Sequence, residues 1–174
     1  MSFFKSFKNS KGIRDLFKND SHKGKPIMTW AQEILREPSA LSPSDRELIA
    51  AFTSSLNHCD YCCGSHSAFA ESLGIEKEIL NKVIAQDYKN MKLAPILDYV
   101  LKLTLFPEVL RQVDFDLVIR AGFTEEELHD AILVCATFNM FNRIVEGHRL
   151  LANEDSWPEA TDRINAIGYD GRYL

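Results

Sequence analysis

"TEEELHDAILVCATFNMFNRIVEGHRLL", residues Thr124–Leu151, carries the strongest helix signals of the chain. Thr124 and Glu127 are spaced as a capping box, in which two side chains satisfy free backbone N–H groups at the start of a helix. The residues that follow are largely apolar, and a helix that is apolar on most sides is surrounded by other elements. We therefore predict a long central helix over this stretch.

A second helix is predicted from "SPSDRELIAAFTSSL", residues 42–56. Ser42 is a typical N-cap residue, Pro43 occupies the first helical position, and Asp45 follows three residues after the cap. Another helix is expected over about residues 58–73, because Gly74 can take the left-handed conformation that ends a helix.

Weaker helical patterns cover most of the remaining chain. They span about residues 30–36, 76–86, 91–106 and 114–121, and the tail from Trp157 to Leu174 adds one short helix and a C-terminal arm. The segment "NDSHKGKP", Asn19–Pro26, is predicted to be a loop, since it combines Gly, Pro, Asn, Asp and Ser without an apolar residue. No alternating pattern indicates strands. We expect an all-α, single-domain helical bundle, with an N-terminal helical arm and loop at 1–40 and the helical domain at 41–174.

Composition excludes several classes of function. The chain has 174 residues and a net charge of −5, and it lacks the Lys/Arg-rich run expected of a nucleic-acid surface. No apolar run reaches the roughly 18 residues that span a bilayer, and no signal peptide is recognisable, so a cytoplasmic protein is expected. The N-terminal "MSFFKSFKNSK" is basic and aromatic, and we expect an arm that packs on its own core or on a neighbouring subunit.

The stretch "NHCDYCCGSH", Asn57–His66, concentrates the chemically reactive side chains, with three cysteines and two histidines in ten residues. At 100° per residue, a helix places Cys59, Cys62, Cys63 and His66 within an arc of about 100°. Four ligands from two turns of one helix cannot surround a metal ion tetrahedrally, and no second Cys-x-x-Cys completes a zinc or iron–sulfur site. No metal is predicted, and a redox function of the thiols is favoured.

Helix geometry supports a reversible disulfide between Cys59 and Cys62. Residues three apart have Cα atoms about 5 Å apart, and the strained torsion of such a bridge makes it easy to reduce. Cys59 in the first turn would gain thiolate character from the helix dipole, and His66 one turn after Cys62 can carry its proton. Cys135 is expected to be a small core residue.

Two motifs resemble a known family. The first resembles the signature of alkylhydroperoxidase D and of the peroxidase-related members of the carboxymuconolactone decarboxylase superfamily. That signature is a glutamate, eleven residues, Cys-x-x-Cys, three residues and a histidine, which are here Glu47, Cys59, Cys62 and His66. "FNMFNRIVE", Phe138–Glu146, is similar to the Asn/Phe-rich core helix of the peroxidase-related group.

The resemblance implies a cysteine-dependent alkyl hydroperoxide reductase, an antioxidant thiol peroxidase of organic hydroperoxides. Cys62 would attack the peroxide, Cys59 would close the disulfide, and Glu47 would work through His66 as the proton relay. It also implies an all-helical protomer that assembles as a homotrimer or a multiple of trimers. The reductant it implies is an external dithiol on a dihydrolipoyl protein.

Glu47 has no distinctive signal of its own, because a lone helical glutamate is usually a surface residue. On its helix it shares a side with three small residues, Ala50, Ala51 and Ser54. Such small neighbours allow another helix to approach closely and enclose the carboxylate.

The sequence departs from the alkylhydroperoxidase D pattern at two positions. Tyr61 stands where that enzyme has a second histidine, directly before the second cysteine of the motif. Cys63 is an additional thiol, at i, i+4 from Cys59, and its replacement by serine is expected to leave turnover intact.

Two other readings of the Cys-x-x-Cys couple stay open. A thiol-disulfide oxidoreductase would use it on protein thiols, although the usual βαβ context is missing. A redox-sensing oligomer would use the disulfide to change shape rather than to turn over a substrate. The chain contains no flavin, haem or nucleotide motif, so no cofactor is expected.

Overall fold

The computed structural model describes residues 3–7, 10 and 12–171. Within these residues the chain forms nine α-helices and no strand, which confirms the all-α prediction. The helices are α1 Ile13–Asn19, α2 Ser21–Leu35, α3 Pro43–Leu56, α4 Asp60–Ser72, α5 Lys77–Ile84, α6 Ala94–Leu105, α7 Gln112–Arg120, α8 Glu125–His148 and α9 Trp157–Ile167. Short 3₁₀ turns lie at Lys5–Phe7, Pro107–Val109 and Glu154–Ser156.

The central helix α8 begins as the sequence predicts. The backbone N–H of Glu127 donates to Thr124 Oγ1 at 3.1 Å, and the N–H of Thr124 donates to Glu127 Oε2 at 2.7 Å. Its inward side is buried along its length, through residues that include Val134, Phe138 and Val145. Helices α3, α4 and α6 pack around it.

Helices α3 and α4 form the hairpin that carries the reactive residues. The predicted N-cap of α3 is present, since the N–H of Asp45 donates to Ser42 Oγ at 3.1 Å. The chain reverses through His58, which has a φ of 56°, and α4 starts two residues later. Gly74 has a φ of 98°, so the predicted left-handed end of α4 is confirmed.

The predicted loop at residues 19–26 is wrong, because α2 begins at Ser21. Backbone N–H groups of Lys23 and Gly24 donate to the carbonyl of Asp20 and open the helix. Gly24 is buried against Phe17 of α1, where a Cβ would overlap the Phe17 side chain. Here the glycine allows two helices to pack closely. Composition alone does not show whether a glycine has this role or lies in a loop. The helix predicted near 30–36 is therefore the second half of α2.

The N-terminal segment packs on the bundle through α1, whose Leu16 and Phe17 are buried. Phe17 and, from α2, Leu35 belong to the same apolar core as Phe52 of α3. Lys8, Lys11 and the last three residues of the predicted C-terminal arm lie outside the described residues. The division of the chain at residue 40 stays a prediction. Among the helices described, none has the length and apolarity to cross a membrane.

Candidate active site

A cavity of about 260 Å³ lies between α1, α2, α4, α8 and α9, and it contains the reactive end of the α3–α4 hairpin. Cys62 and His66 both line it. Most of its remaining wall is apolar and comes from Met28, Leu35, Phe69, Phe138, Phe141 and Trp157. Of the predicted site residues, Cys59 and Glu47 lie behind this wall rather than in it.

The Cys59–Cys62 pair is reduced and buried, with 0% and 3% of the two residues exposed. Cys59 is the N-cap of α4 and not part of its first turn, which corrects the helical position predicted for it. Its backbone N–H donates to the carbonyl of Ser54 at 3.0 Å, so the α3–α4 turn positions it. It packs in the same apolar cluster as Cys62 and acts on the pKa of that thiol. The couple therefore has one thiol facing the cavity and one directly behind it.

The environment of Cys62 keeps its thiol neutral. The hydrogen bond with Cys59 and the burial of the sulfur raise the pKa of Cys62 well above its ordinary value. A hydrogen bond from Asn142 of α8 acts in the opposite direction and lowers this pKa. Asn142 is itself fixed, since it donates to Ser54 Oγ at 3.0 Å and accepts from Asn57 Nδ2 at 2.9 Å. Reaction at Cys62 therefore requires a base that removes its proton.

His66 and Glu47 lie together, as the proposed relay requires. Glu47 Oε2 is 2.6 Å from His66 Nδ1, and no part of the glutamate is exposed. Its helical neighbours Ala50 and Ser54 are buried at the contact between α3 and α4. This is the enclosure expected from the small residues beside Glu47.

Two further residues hold the carboxylate of Glu47. Arg36, just after α2, forms an ion pair with Oε1, and the Tyr169 hydroxyl donates to the same oxygen at 2.6 Å. The Arg36 guanidinium also stacks on the Tyr169 ring, 5.0 Å from its centroid. The Tyr169 hydroxyl lies 3.3 Å from His66 Nδ1, so it contacts both members of the predicted relay.

These partners determine the charge of the group. Burial alone would raise the pKa of Glu47, but His66, Arg36 and the Tyr169 hydrogen bond outweigh it and lower that pKa. Burial and the neighbouring carboxylate raise the pKa of Tyr169 well above its ordinary value. Glu47 is therefore an ionised acceptor and Tyr169 a protonated donor near neutral pH. Because an ionised carboxylate only accepts hydrogen bonds, its contact with His66 requires the proton on Nδ1.

The two unusual positions of the motif have different surroundings. The Tyr61 hydroxyl lies in the cavity wall and accepts a hydrogen bond from the N–H of Ile13 at 3.2 Å, so it anchors the start of α1. Burial raises the pKa of Tyr61, which therefore stays neutral. Cys63 is half-buried outside the cavity wall, and burial raises its pKa to about 11. The single reactive face predicted for all three thiols is wrong, since Cys62 alone among them reaches the cavity.

Sequence reasoning missed Arg36, Tyr169 and Asn142. Asn142 had a usable signal, a polar residue within a largely apolar helix. Arg36 and Tyr169 are far from the motif in sequence and reach it only through tertiary packing. Across the part of the chain that the structure describes, no group of three or more His, Cys, Asp and Glu side chains has the arrangement to hold a metal ion.

Comparison with known proteins adds a family match over part of the chain and a fold. Residues 25–88 match the carboxymuconolactone decarboxylase family, and the match begins within the first 40 residues, where we find no family motif. No curated protein sequence matches significantly.

Three solved structures share the fold. An uncharacterized peroxidase-related protein from Silicibacter sp. TM1040 is 23% identical with a TM-score of 0.72, over 79% of this chain and 73% of that one. An alkylhydroperoxidase AhpD core protein, an uncharacterized peroxidase-related protein from Ralstonia eutropha JMP134, is 21% identical with a TM-score of 0.75, over 82% and 76% of the two chains. A protein of unknown function from Agrobacterium tumefaciens, a putative antioxidant defence protein AhpD, is 20% identical with a TM-score of 0.66, over 79% and 95%. The chain is thus similar to the carboxymuconolactone decarboxylase family over residues 25–88, and its fold is that of the alkylhydroperoxidase D-like structures.

Proposed function

We propose that the protein is an antioxidant thiol peroxidase, a cysteine-dependent alkyl hydroperoxide reductase. One observation carries the proposal: Cys62 faces an apolar cavity together with His66, while Cys59 contacts it from behind and Glu47 holds the imidazole. This arrangement contains a nucleophile, a base and a resolving thiol around a space of small-molecule size. The family and the peroxidase-related names of its fold neighbours support the same chemistry.

The first step is removal of the Cys62 proton. With Nδ1 of His66 donating to Glu47, Nε2 has the free lone pair and accepts the proton. The ionised Glu47 stabilises the imidazolium that forms, and Arg36 and Tyr169 keep Glu47 ionised. The relay thus compensates for the raised pKa of the thiol.

The chemistry then follows in two balanced steps. The Cys62 thiolate attacks the distal oxygen of the hydroperoxide, the O–O bond breaks, and the imidazolium proton goes to the leaving alkoxide, so the products are an alcohol and a sulfenic acid. The Cys59 thiol condenses with the sulfenic acid, which releases water and forms the disulfide. An external dithiol reduces the disulfide, and we propose that a dihydrolipoyl group on a partner protein supplies it.

The burial of the couple favours this reading over a thiol-disulfide oxidoreductase that acts on protein substrates. A protein disulfide as substrate would have to bring a second polypeptide to thiols that are almost fully buried, whereas a hydroperoxide needs only the cavity. We further propose, from the family resemblance, that the protein assembles as a homotrimer or a multiple of trimers. The molar mass in solution tests this assembly.

The decisive experiment follows peroxide loss with excess dihydrolipoamide and cumene hydroperoxide. We expect many turnovers by the wild-type protein, none by Cys62→Ser, and a large loss by Glu47→Gln. Cys63→Ser is the matched control, because it removes a neighbouring thiol that lies outside the cavity wall. A wild-type protein that is oxidised once and stays oxidised despite fresh dithiol would refute the peroxidase and favour the sensor.

A further inference from the structure

The cavity that contains Cys62 also has two arginines in its wall. Arg14 comes from α1 and Arg163 from α9, and both side chains are half-buried. Among the described residues, neither guanidinium has an ion-pair or hydrogen-bond partner. A half-buried guanidinium that no protein carboxylate pairs can donate its N–H groups to an anionic ligand.

Arg14 and Arg163 form the cationic part of this wall. Burial lowers the pKa of Arg163, and repulsion from Arg14 lowers it further, by more than the exposed Glu159 raises it. Asp15 and Glu159 also line the cavity, so the wall contains carboxylates as well. The largest charge effect on Arg163 is nevertheless that of another cation.

Both arginines line the same cavity as Cys62 and Tyr61. Tyr61, directly before Cys62, accepts a hydrogen bond from the N–H of Ile13, the residue before Arg14, and the charge of Arg163 acts to lower the pKa of Tyr61. The wall beyond is apolar, through residues such as Phe69 and Phe138. A ligand that fits all three regions has an anionic end, a short apolar body and a group that reacts with sulfur.

We propose that Arg14 and Arg163 bind the carboxylate of an organic hydroperoxide, whose apolar body fills the cavity and whose O–O group reaches Cys62. This inference rests on the proposed function, because it names the class of peroxide that the same site accepts. Planar guanidinium groups suit a carboxylate, which they can bind through paired N–H donors.

The test compares three peroxides that differ only in charge and size at one end: 4-(2-hydroperoxypropan-2-yl)benzoate, its methyl ester and the parent cumene hydroperoxide. We expect kcat/KM for the carboxylate to exceed that for the ester by about tenfold or more, as one charged hydrogen-bonding interaction provides. The preference should fall toward unity in Arg163→Met and Arg14→Met and largely persist in Arg163→Lys. Arg120→Met, which removes an exposed arginine of α7, should retain the full preference.

A binding measurement separates this inference from the proposed function. Isothermal titration with the unreactive alcohols, 4-(2-hydroxypropan-2-yl)benzoate and its methyl ester, reports the anion site without any turnover. Tighter binding of the carboxylate that is lost in Arg163→Met supports the site, even if no peroxide is consumed and the peroxidase fails. Turnover of all three peroxides with equal kcat/KM supports the peroxidase and overturns the anion site, as does a preference that survives both methionine variants.

Discussion

Tyr169→Phe removes one oxygen atom from the centre of the relay and leaves the aromatic ring in place. The lost hydroxyl donates to Glu47 Oε1 at 2.6 Å and lies 3.3 Å from His66 Nδ1. The ring keeps its packing against Phe69 and its contact with Arg36, so the substitution creates no large cavity. The variant therefore tests the hydrogen bond itself.

The expected loss of stability follows from the charge of the acceptor. A hydrogen bond to a charged group contributes about 1.5–3 kcal/mol, and Arg36 and His66 continue to compensate the carboxylate. We expect the free energy of unfolding to fall by about that amount at neutral pH. If about half of it also orients the relay in the transition state, kcat/KM falls by about fourfold to about twelvefold.

The pH dependence gives a more specific signature. The Tyr169 hydroxyl lowers the pKa of Glu47, so its removal raises that pKa and the acid limb of the pH–rate profile moves to higher pH. A carboxylate with a lowered pKa in the folded state contributes stability above its unfolded pKa, and this contribution is lost as pH falls through the folded value. The stability difference between wild type and variant should therefore shrink below about pH 4.

Tyr88→Phe is the matched control for both measurements. Tyr88 is also buried and donates to Asp98 Oδ1 at 3.0 Å, but it lies outside the cavity wall. Urea denaturation should show a loss for both variants, whereas the pH–rate profile should move only for Tyr169→Phe. If the two variants lose similar stability and the profile of Tyr169→Phe superimposes on that of wild type, Tyr169 has no part in the relay.

The remaining predictions concern the surroundings of the relay. Cys63→Ser should leave kcat/KM within about twofold of wild type in the peroxide assay, because the thiol lies outside the cavity wall; a loss near that of Cys62→Ser would contradict this. Arg36→Met removes the permanent cation beside the buried Glu47 carboxylate and should destabilise the protein by about 3–5 kcal/mol in urea denaturation. The same substitution should destabilise a Glu47→Gln protein by clearly less, because no buried charge is then left unpaired. Gly64→Ala places a Cβ against the ring of Trp157 and should lower the free energy of unfolding by about 1–3 kcal/mol. Gly147→Ala, on an exposed part of α8 with open space around it, should be neutral or stabilising. Equal melting temperatures for the two variants would show that α9 moves freely away from Gly64.

The sequence predicts those parts of the fold that depend on local hydrogen bonding. The caps at Ser42 and Thr124 and the glycine end at Gly74 each need only a few neighbouring residues, and all three are present. The loop prediction for residues 19–26 fails because Gly24 is required by the packing of α2 on Phe17 of α1 and not by a local turn. Local sequence rules do not distinguish a glycine that ends a helix or forms a loop from one that allows two helices to pack closely.

The site divides in a similar way. The spacing of Cys62 and His66 along one helix already predicts that both face the same space, and they do. Arg36 and Tyr169 have no spacing relation to the motif, since they come from the end of α2 and the segment after α9. Their convergence on Glu47 depends on how four separate segments pack, which no local pattern contains.

The raised pKa of Cys62 changes how the selectivity of the thiol is understood. A helix N-terminus alone would favour a standing thiolate, which reacts with any oxidant that reaches it. Here the thiol is neutral and almost fully buried, and in the proposed mechanism a reactive thiolate forms only when the His66–Glu47 pair takes its proton. An oxidant must then enter the cavity and accept a proton from the same imidazole as its O–O bond breaks. Access and proton transfer, rather than the intrinsic nucleophilicity of the sulfur, would therefore determine which oxidants react.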